Sequence, residues 1–160
     1  TGECLFCRMN KEEETCNLRI VHKNEDFIAY IPFFADYAYG IYIVAKSHKP
    51  TIADFNDREK DNLGKMIRDI SGMYDNLFPE RPVFPYMMCM HNAPVNSGDY
   101  SKDFHFHIEF FPPMRSADKQ KFNASSETGA WAHCNPTCPE ETSKELRAAY
   151  AKFMESKKGE

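Results

Sequence analysis

Over Phe104–Phe111 the chain alternates with a period of two. Phe104, Phe106, Ile108 and Phe110 fall on one side, and His105, His107 and Glu109 fall on the other. This predicts a strand with a core face and a polar face. Other runs also read as strands: Leu18–Val21, Phe27–Ile31 after the turn Lys23–Asp26, Gly40–Ala45, and Phe84–Met90. Gly40–Ala45 is apolar on both faces, which predicts a central place in its sheet. Asn56-Asp57-Arg58-Glu59 has the spacing of a capping box. Leu63, Met66, Ile67, Ile70, Tyr74 and Leu77 follow at helical spacing, up to Pro79. A last helix should begin at Pro139, with Leu146, Ala149, Tyr150 and Phe153 on one face. Cys4–Cys7 reads as a short knuckle, Glu12–Glu14 as a solvated acidic run, and Ser116–Trp131 as an extended surface loop. The sum is an α+β fold: a mostly antiparallel sheet, one long helix and a carboxyl-terminal helix.

At 160 residues with 42% hydrophobic positions, one core and one domain are expected over residues 1–160. The net charge of −4 argues against a nucleic-acid partner, because phosphate backbones demand clustered Lys and Arg. No apolar run approaches the length of a membrane span and no secretory signal is visible, so a cytoplasmic protein without a membrane partner is expected. The sequence begins at Thr1 without a methionine, which leads us to expect a piece of something longer.

Of the six cysteines, Cys4 and Cys7 have the spacing of metal-binding thiolates, although two buried cysteines packing as small hydrophobes give the same pattern. His48, after the third strand, and His105 would complete a closed Cys2His2 zinc site if the fold gathers all four. His133, Cys134 and Cys138 form a weaker rival set, with Pro136 inside it. On the polar face of the last strand, His107 would be a phosphate-attacking nucleophile if the domain is catalytic on its own.

The strand His105-x-His107-x-Glu109, Cys4-x-x-Cys7 and Lys46-x-His48 together resemble the histidine-triad superfamily. One branch is more similar, the carboxyl-terminal half of galactose-1-phosphate uridylyltransferases. The resemblance runs through Tyr74–Phe78, Phe84-Pro85-Tyr86, His91–Pro94, His107–Pro113, Arg115-Ser116-Ala117 with Lys121-Phe122, and Pro139 to Arg147. It implies a histidine-triad-like fold and a share in UMP transfer between UDP-hexose and hexose 1-phosphate, in galactose metabolism. The implied partners are an amino-terminal catalytic half and a second copy of the enzyme. In that family the nucleophile lies in a His-Pro-His motif of the amino-terminal half, and these 160 residues contain no His-Pro-His. The isolated chain is therefore expected to be inactive.

The resemblance assigns zinc to Cys4, Cys7, His48 and His105. Members without the cysteines bind a second metal differently, through residues matching His91, His107 and Glu109 plus a carboxylate from the other half, and the cysteines here favour the first site. It assigns hexose-phosphate binding to Lys121, Phe122 and Glu127, and substrate contacts to Asn92 and Asn96. Ser126 stands where the family has tyrosine, and His133 where it has glutamine. The alternative is a free-standing histidine-triad nucleotide hydrolase or transferase with His107 as its nucleophile. A scaffold without chemistry is the third reading.

Overall fold

The computed structural model of the chain describes residues 2–158. Five strands form one antiparallel sheet in the order β1-β2-β3-β5-β4: β1 Ile20–Lys23, β2 Phe27–Tyr30, β3 Tyr42–Ala45, β4 Met87–His91 and β5 His107–Phe111. The α+β expectation holds, and the all-apolar β3 is the middle strand. Ile43 and Ala45 face one core with Phe27, Ala29, Phe106, Ile108 and Phe110, while Val44 joins Met9, Ile20, Ile28 and Tyr30 in a second.

The first core is closed by α2 (Asp57–Asp75) and α4 (Pro139–Ser156). The capping box at α2 is present. The Asn56 side chain accepts the Glu59 N–H at 3.0 Å, and Glu59 accepts the Asn56 N–H at 2.8 Å. Such a cap contributes about 1 kcal/mol. Leu63, Met66, Ile70 and Tyr74 are buried as their spacing predicted, and Leu146 and Ala149 bury the face of α4. The helices cross closely at Gly72, where a Cβ would come within 2.5 Å of the Phe153 ring. No helix among the described residues is long and apolar enough to cross a membrane.

Five expectations are corrected. The knuckle is the start of a helix, α1 (Leu5–Cys16), which ends on Asn17 in the left-handed conformation at φ 54°. Its inner face is Phe6, Met9, Asn10 and Glu13, with helical spacing but two polar members. Those two are held by hydrogen bonds that the sequence does not display. Asn10 donates to Ala45 O at 2.9 Å, and Glu13 accepts from Arg19 at 2.8 Å. Glu13 is thus buried rather than solvated.

The strand expected from Phe104 begins instead at His107. The N–H groups of Phe104 and Phe106 bond to Tyr100 O and Lys49 O, in loops rather than in the ladder. Phe104 is only half-buried, 6.0 Å from His107, and is not core. Phe84–Met90 shifts to Met87–His91, and Phe84 instead stacks on Tyr74 in the core at 5.0 Å. Within Ser116–Trp131 a short helix forms, α3 (Ser125–Ala130), and Gln120 bridges to Met114.

Candidate functional site

The first turn of α1 places Cys4 and Cys7 three residues apart on one side of the helix start. His48 reaches them from the turn after β3, and His105 from the approach to β5. Cys4 Sγ lies 3.7 Å from His105 Nδ1, and Cys7 Sγ lies 3.5 Å from both His48 Nδ1 and His105 Nδ1. With zinc–sulfur bonds of about 2.3 Å and zinc–nitrogen bonds of about 2.0–2.1 Å, a tetrahedral ion separates such ligands by about 3.6 Å. The spacing fits.

The imidazoles are oriented for it. His105 donates through Nε2 to Ala45 O at 2.8 Å, and His48 through Nε2 to Ser101 O at 2.8 Å. A carbonyl only accepts, so each Nδ1 keeps its lone pair for the cluster. Burial, the main cause, pushes His105 down to about 4, so it is neutral and ligand-ready at pH 7. The Cys7 thiol is pushed up to about 11, by burial first and then by the adjacent Cys4. A cation reverses that penalty and takes the thiolate instead.

A second group lies beside the first, on the polar face of β4 and β5. His91 pairs with His107 across the ladder, and Glu109 lies opposite Cys89. His107 Nε2 is 3.3 Å from Glu109 Oε1, and His91 Nε2 is 3.7 Å from the same oxygen with no hydrogen-bond partner of its own. The His107 Nδ1–H donates to His105 O at 2.8 Å. Burial raises the Glu109 carboxyl, but the hydrogen bond from His107 and the charges of His91 and His107 outweigh it, leaving the acid below its ordinary range. Glu109 and burial together push Tyr42 upward, burial first. Two imidazole nitrogens and a carboxylate oxygen converging in this way suit a shared proton or a divalent cation. They do not suit an attack on phosphate, because the carboxylate faces the only nitrogen of His107 that is free to attack.

Lys121 and Glu127 are brought together. Nζ of Lys121 donates to Glu127 Oε1 at 2.8 Å and to Cys134 O at 2.7 Å, and both side chains are buried. The hydrogen bond from Lys121, with backbone N–H bonds from Ala124 and Cys134, holds the Glu127 carboxyl down at about 2. Phe122 beside them is exposed. Asn92 accepts the Ile52 N–H at 2.9 Å, and Asn96 sits in the left-handed region of an exposed loop at φ 62°. No hydrogen bond among the described residues joins either asparagine to Lys121 or Glu127. The rival metal set does not gather: Cys134 Sγ lies beside Ser126 Oγ, and Cys138 donates to Glu140. Phe6, which the sequence reading passed over, stacks on His107 at 4.1 Å. Its place between the two cysteines was the available signal.

Comparison with known proteins gives a consistent result. The family profile described as galactose-1-phosphate uridyl transferase, C-terminal domain, matches residues 1–151. The galactose-1-phosphate uridylyltransferase of Thermotoga maritima is 41% identical over 145 residues, covering 91% of this chain and 44% of that protein. The Saccharomyces cerevisiae enzyme of the same name is 36% identical over 120 residues, covering 74% and 32%. The chain thus spans less than half the length of these relatives. A solved uridylyltransferase superposes with a TM-score of 0.84 at 29% identity, over 94% of this chain and 46% of that one. A zinc-bound histidine triad family protein from Mycobacterium smegmatis shares the fold, with a TM-score of 0.60 at 18% identity over 96% of each chain.

Proposed function

The chain belongs to the galactose-1-phosphate uridyl transferase C-terminal domain family, and from that premise we propose that it is the non-nucleophilic half of a hexose-1-phosphate uridylyltransferase. In this reading residues 1–160 act as one domain of a longer cytoplasmic nucleotidyltransferase. An amino-terminal half carries the uridylyl group on its own histidine and moves UMP between UDP-hexose and hexose 1-phosphate. This half supplies a zinc-held frame through Cys4, Cys7, His48 and His105. It also supplies contacts to the hexose phosphate through Lys121, Phe122 and Glu127, and further substrate contacts through Asn92 and Asn96.

One observation carries the reading. His107 is engaged on every side: Nδ1 bonds to His105 O, Nε2 faces Glu109, and Phe6 and His91 stack on its ring at 4.1 and 4.6 Å. A nucleophile needs a free nitrogen and an approach path for phosphorus. Nε2, the one nitrogen left to attack, faces a carboxylate that repels an incoming phosphate, and this favours reading the triad strand of this chain as support.

The edge strand β4 supports a partner half. Met87, Met88 and Met90 are exposed on both of its faces, without the lysine or proline that usually blunts a free edge. Such an edge suits an added strand, from the amino-terminal half or from the second subunit of a homodimer.

The Lys121–Glu127 pair supports a phosphate role. A lysine already desolvated beside a carboxylate can exchange that partner for a phosphate oxygen, leaving Glu127 to accept sugar hydroxyls.

Zinc, when bound, supplies a closed structural centre that fixes α1 against the sheet, and no step of the transfer passes through it.

The test is intact-mass measurement of the isolated chain after incubation with UDP-glucose. No covalent uridylyl adduct is expected. An adduct that disappears in His107→Ala overturns the reading in favour of a free-standing histidine-triad enzyme.

A further inference from the structure

The two side-chain clusters are mechanically joined, and the joint is Phe6. Its ring stacks on His107 with centroids 4.1 Å apart and 28° between the planes. His91 stacks on the same imidazole at 4.6 Å and 8°. Two rings this close and this parallel cannot share one face, so they flank His107. Phe6 belongs to the first turn of α1, inside Cys4-Leu5-Phe6-Cys7, and is therefore placed by the same turn that places both thiols. The hydrogen bond at His107 Nδ1 runs to the carbonyl of His105, whose side chain completes the cysteine cluster. So two of the groups that orient His107 come from within the four-residue cluster or from between its ligands. The other constraints are Glu109 at 3.3 Å and the stacked His91, from β5 and β4.

We propose that Phe6 is a positioning residue that makes the orientation of His107, and through it the His91–His107–Glu109 group, depend on the metal held by Cys4, Cys7, His48 and His105. The proposal rests on the zinc reading above. The physical reason lies in the geometry of the turn. A metal bonded to both thiols fixes the rotation of the first turn about the helix axis, and Phe6 projects from that turn onto the imidazole. A small change in metal–sulfur bond length turns the ring relative to His107. Aromatic pairs are sensitive to such offsets, because their attraction depends on how the ring quadrupoles overlap. Loosening Phe6 releases one wall of the His107 slot and leaves His91 and Glu109 to hold it.

The test uses the full chain at fixed pH, with the His107 Hε1 and Hδ2 proton signals identified by their absence in His107→Gln. With zinc bound at one per chain, Phe6→Leu should move these signals downfield as ring-current shielding is lost, and Phe6→Tyr should restore them. Exchange of zinc for cadmium, which binds sulfur at longer range, should shift the signals in the wild type and leave them nearly still in Phe6→Leu. Replacing the ion rather than removing it keeps the chain folded throughout. His107 signals indifferent to Phe6→Leu at full metal content overturn the proposal. So does a cadmium shift of equal size with and without the Phe6 ring. Should the wild type bind neither zinc nor cadmium, the metal content itself shows that the zinc reading has failed, and this proposal falls with it. A full metal complement with no effect of Phe6 removes the coupling alone.

Discussion

The imidazole of His105 donates through Nε2 to the carbonyl of Ala45 at 2.8 Å, and this one bond decides which nitrogen is left to face Cys4 and Cys7. Because Ala45 also accepts from Asn10 of α1, the same carbonyl ties the helix to the ligand. From this we expect purified protein to hold close to one zinc per chain. Cys4→Ser combined with Cys7→Ser should abolish the binding and lower the unfolding temperature, since a closed site contributes its binding free energy to folding. Metal analysis with parallel thermal unfolding checks this. Full zinc content in the double variant would disprove the ligand set.

Arg19, just before β1, ties α1 to α4. Its guanidinium bonds to Glu13 of α1 at 2.8 Å and to Glu140 of α4 at 2.7 Å, and the Glu13 carboxylate is almost wholly buried. Removing one partner of a fully buried pair costs about 3–5 kcal/mol, and the slight exposure of Arg19 should reduce this somewhat. Arg19→Met is therefore expected to be strongly destabilising, while Arg19→Met with Glu13→Gln should recover much of the loss. Urea unfolding of both variants decides. Equal stability of the single and double variants would show that Glu13 does not need its partner.

His22 on β1 lies 3.4 Å from Asp69 of α2 and packs against Tyr150 of α4 at 4.6 Å. Burial outweighs the attraction of Asp69 and lowers its pKa below the ordinary 6.5. A histidine depressed in the folded state binds its proton more readily when unfolded. Its contribution to stability is thus fully present above pH 6.5 and is lost as the pH falls below that value toward the folded pKa. Between pH 7.5 and pH 5.5 the wild type should lose more stability than His22→Gln. Parallel pH profiles for the two would show that His22 does not contribute.

In the complete enzyme, Lys121→Ala should reduce kcat/KM for hexose 1-phosphate by roughly one to two decades, the usual effect of losing a charge-assisted contact. Glu127→Ala should act in the same direction. Glu127 also accepts N–H bonds at the start of α3, so a merely structural role is separated by stability. Loss of kcat/KM with an unchanged unfolding temperature marks binding, whereas loss together with a lowered unfolding temperature marks misfolding of the loop. Variants within about twofold of wild type would show that Lys121 and Glu127 bind nothing.

The sheet and its long helix were legible because β3 and α2 carry uninterrupted apolar patterns, and the Asn56–Glu59 cap is a local signal. The helix α1 was not. Asn10 and Glu13 occupy two of its four inward positions and break the hydrophobic period, and the groups that satisfy them are Ala45 O, 35 residues away on β3, and Arg19, which reaches Glu13 only because the chain turns back after Asn17. The four zinc-type ligands were legible as residue types, but their convergence depends on the turn after β3 and the loop before β5. The strand start was misread at Phe104 because alternation continues past the ladder, where backbone bonds turn to Tyr100 and Lys49. The buried pairing of Lys121 with Glu127 had no sequence signal beyond the resemblance.

The most direct test of the central claim is a uridylyl-transfer assay on the isolated chain and on the same chain mixed with an amino-terminal half that carries the His-Pro-His motif. We predict no transfer between UDP-glucose and galactose 1-phosphate by the isolated chain, transfer by the mixture, and a covalent uridylyl group on the amino-terminal half alone. Transfer by the isolated chain that vanishes in His107→Ala would contradict the account.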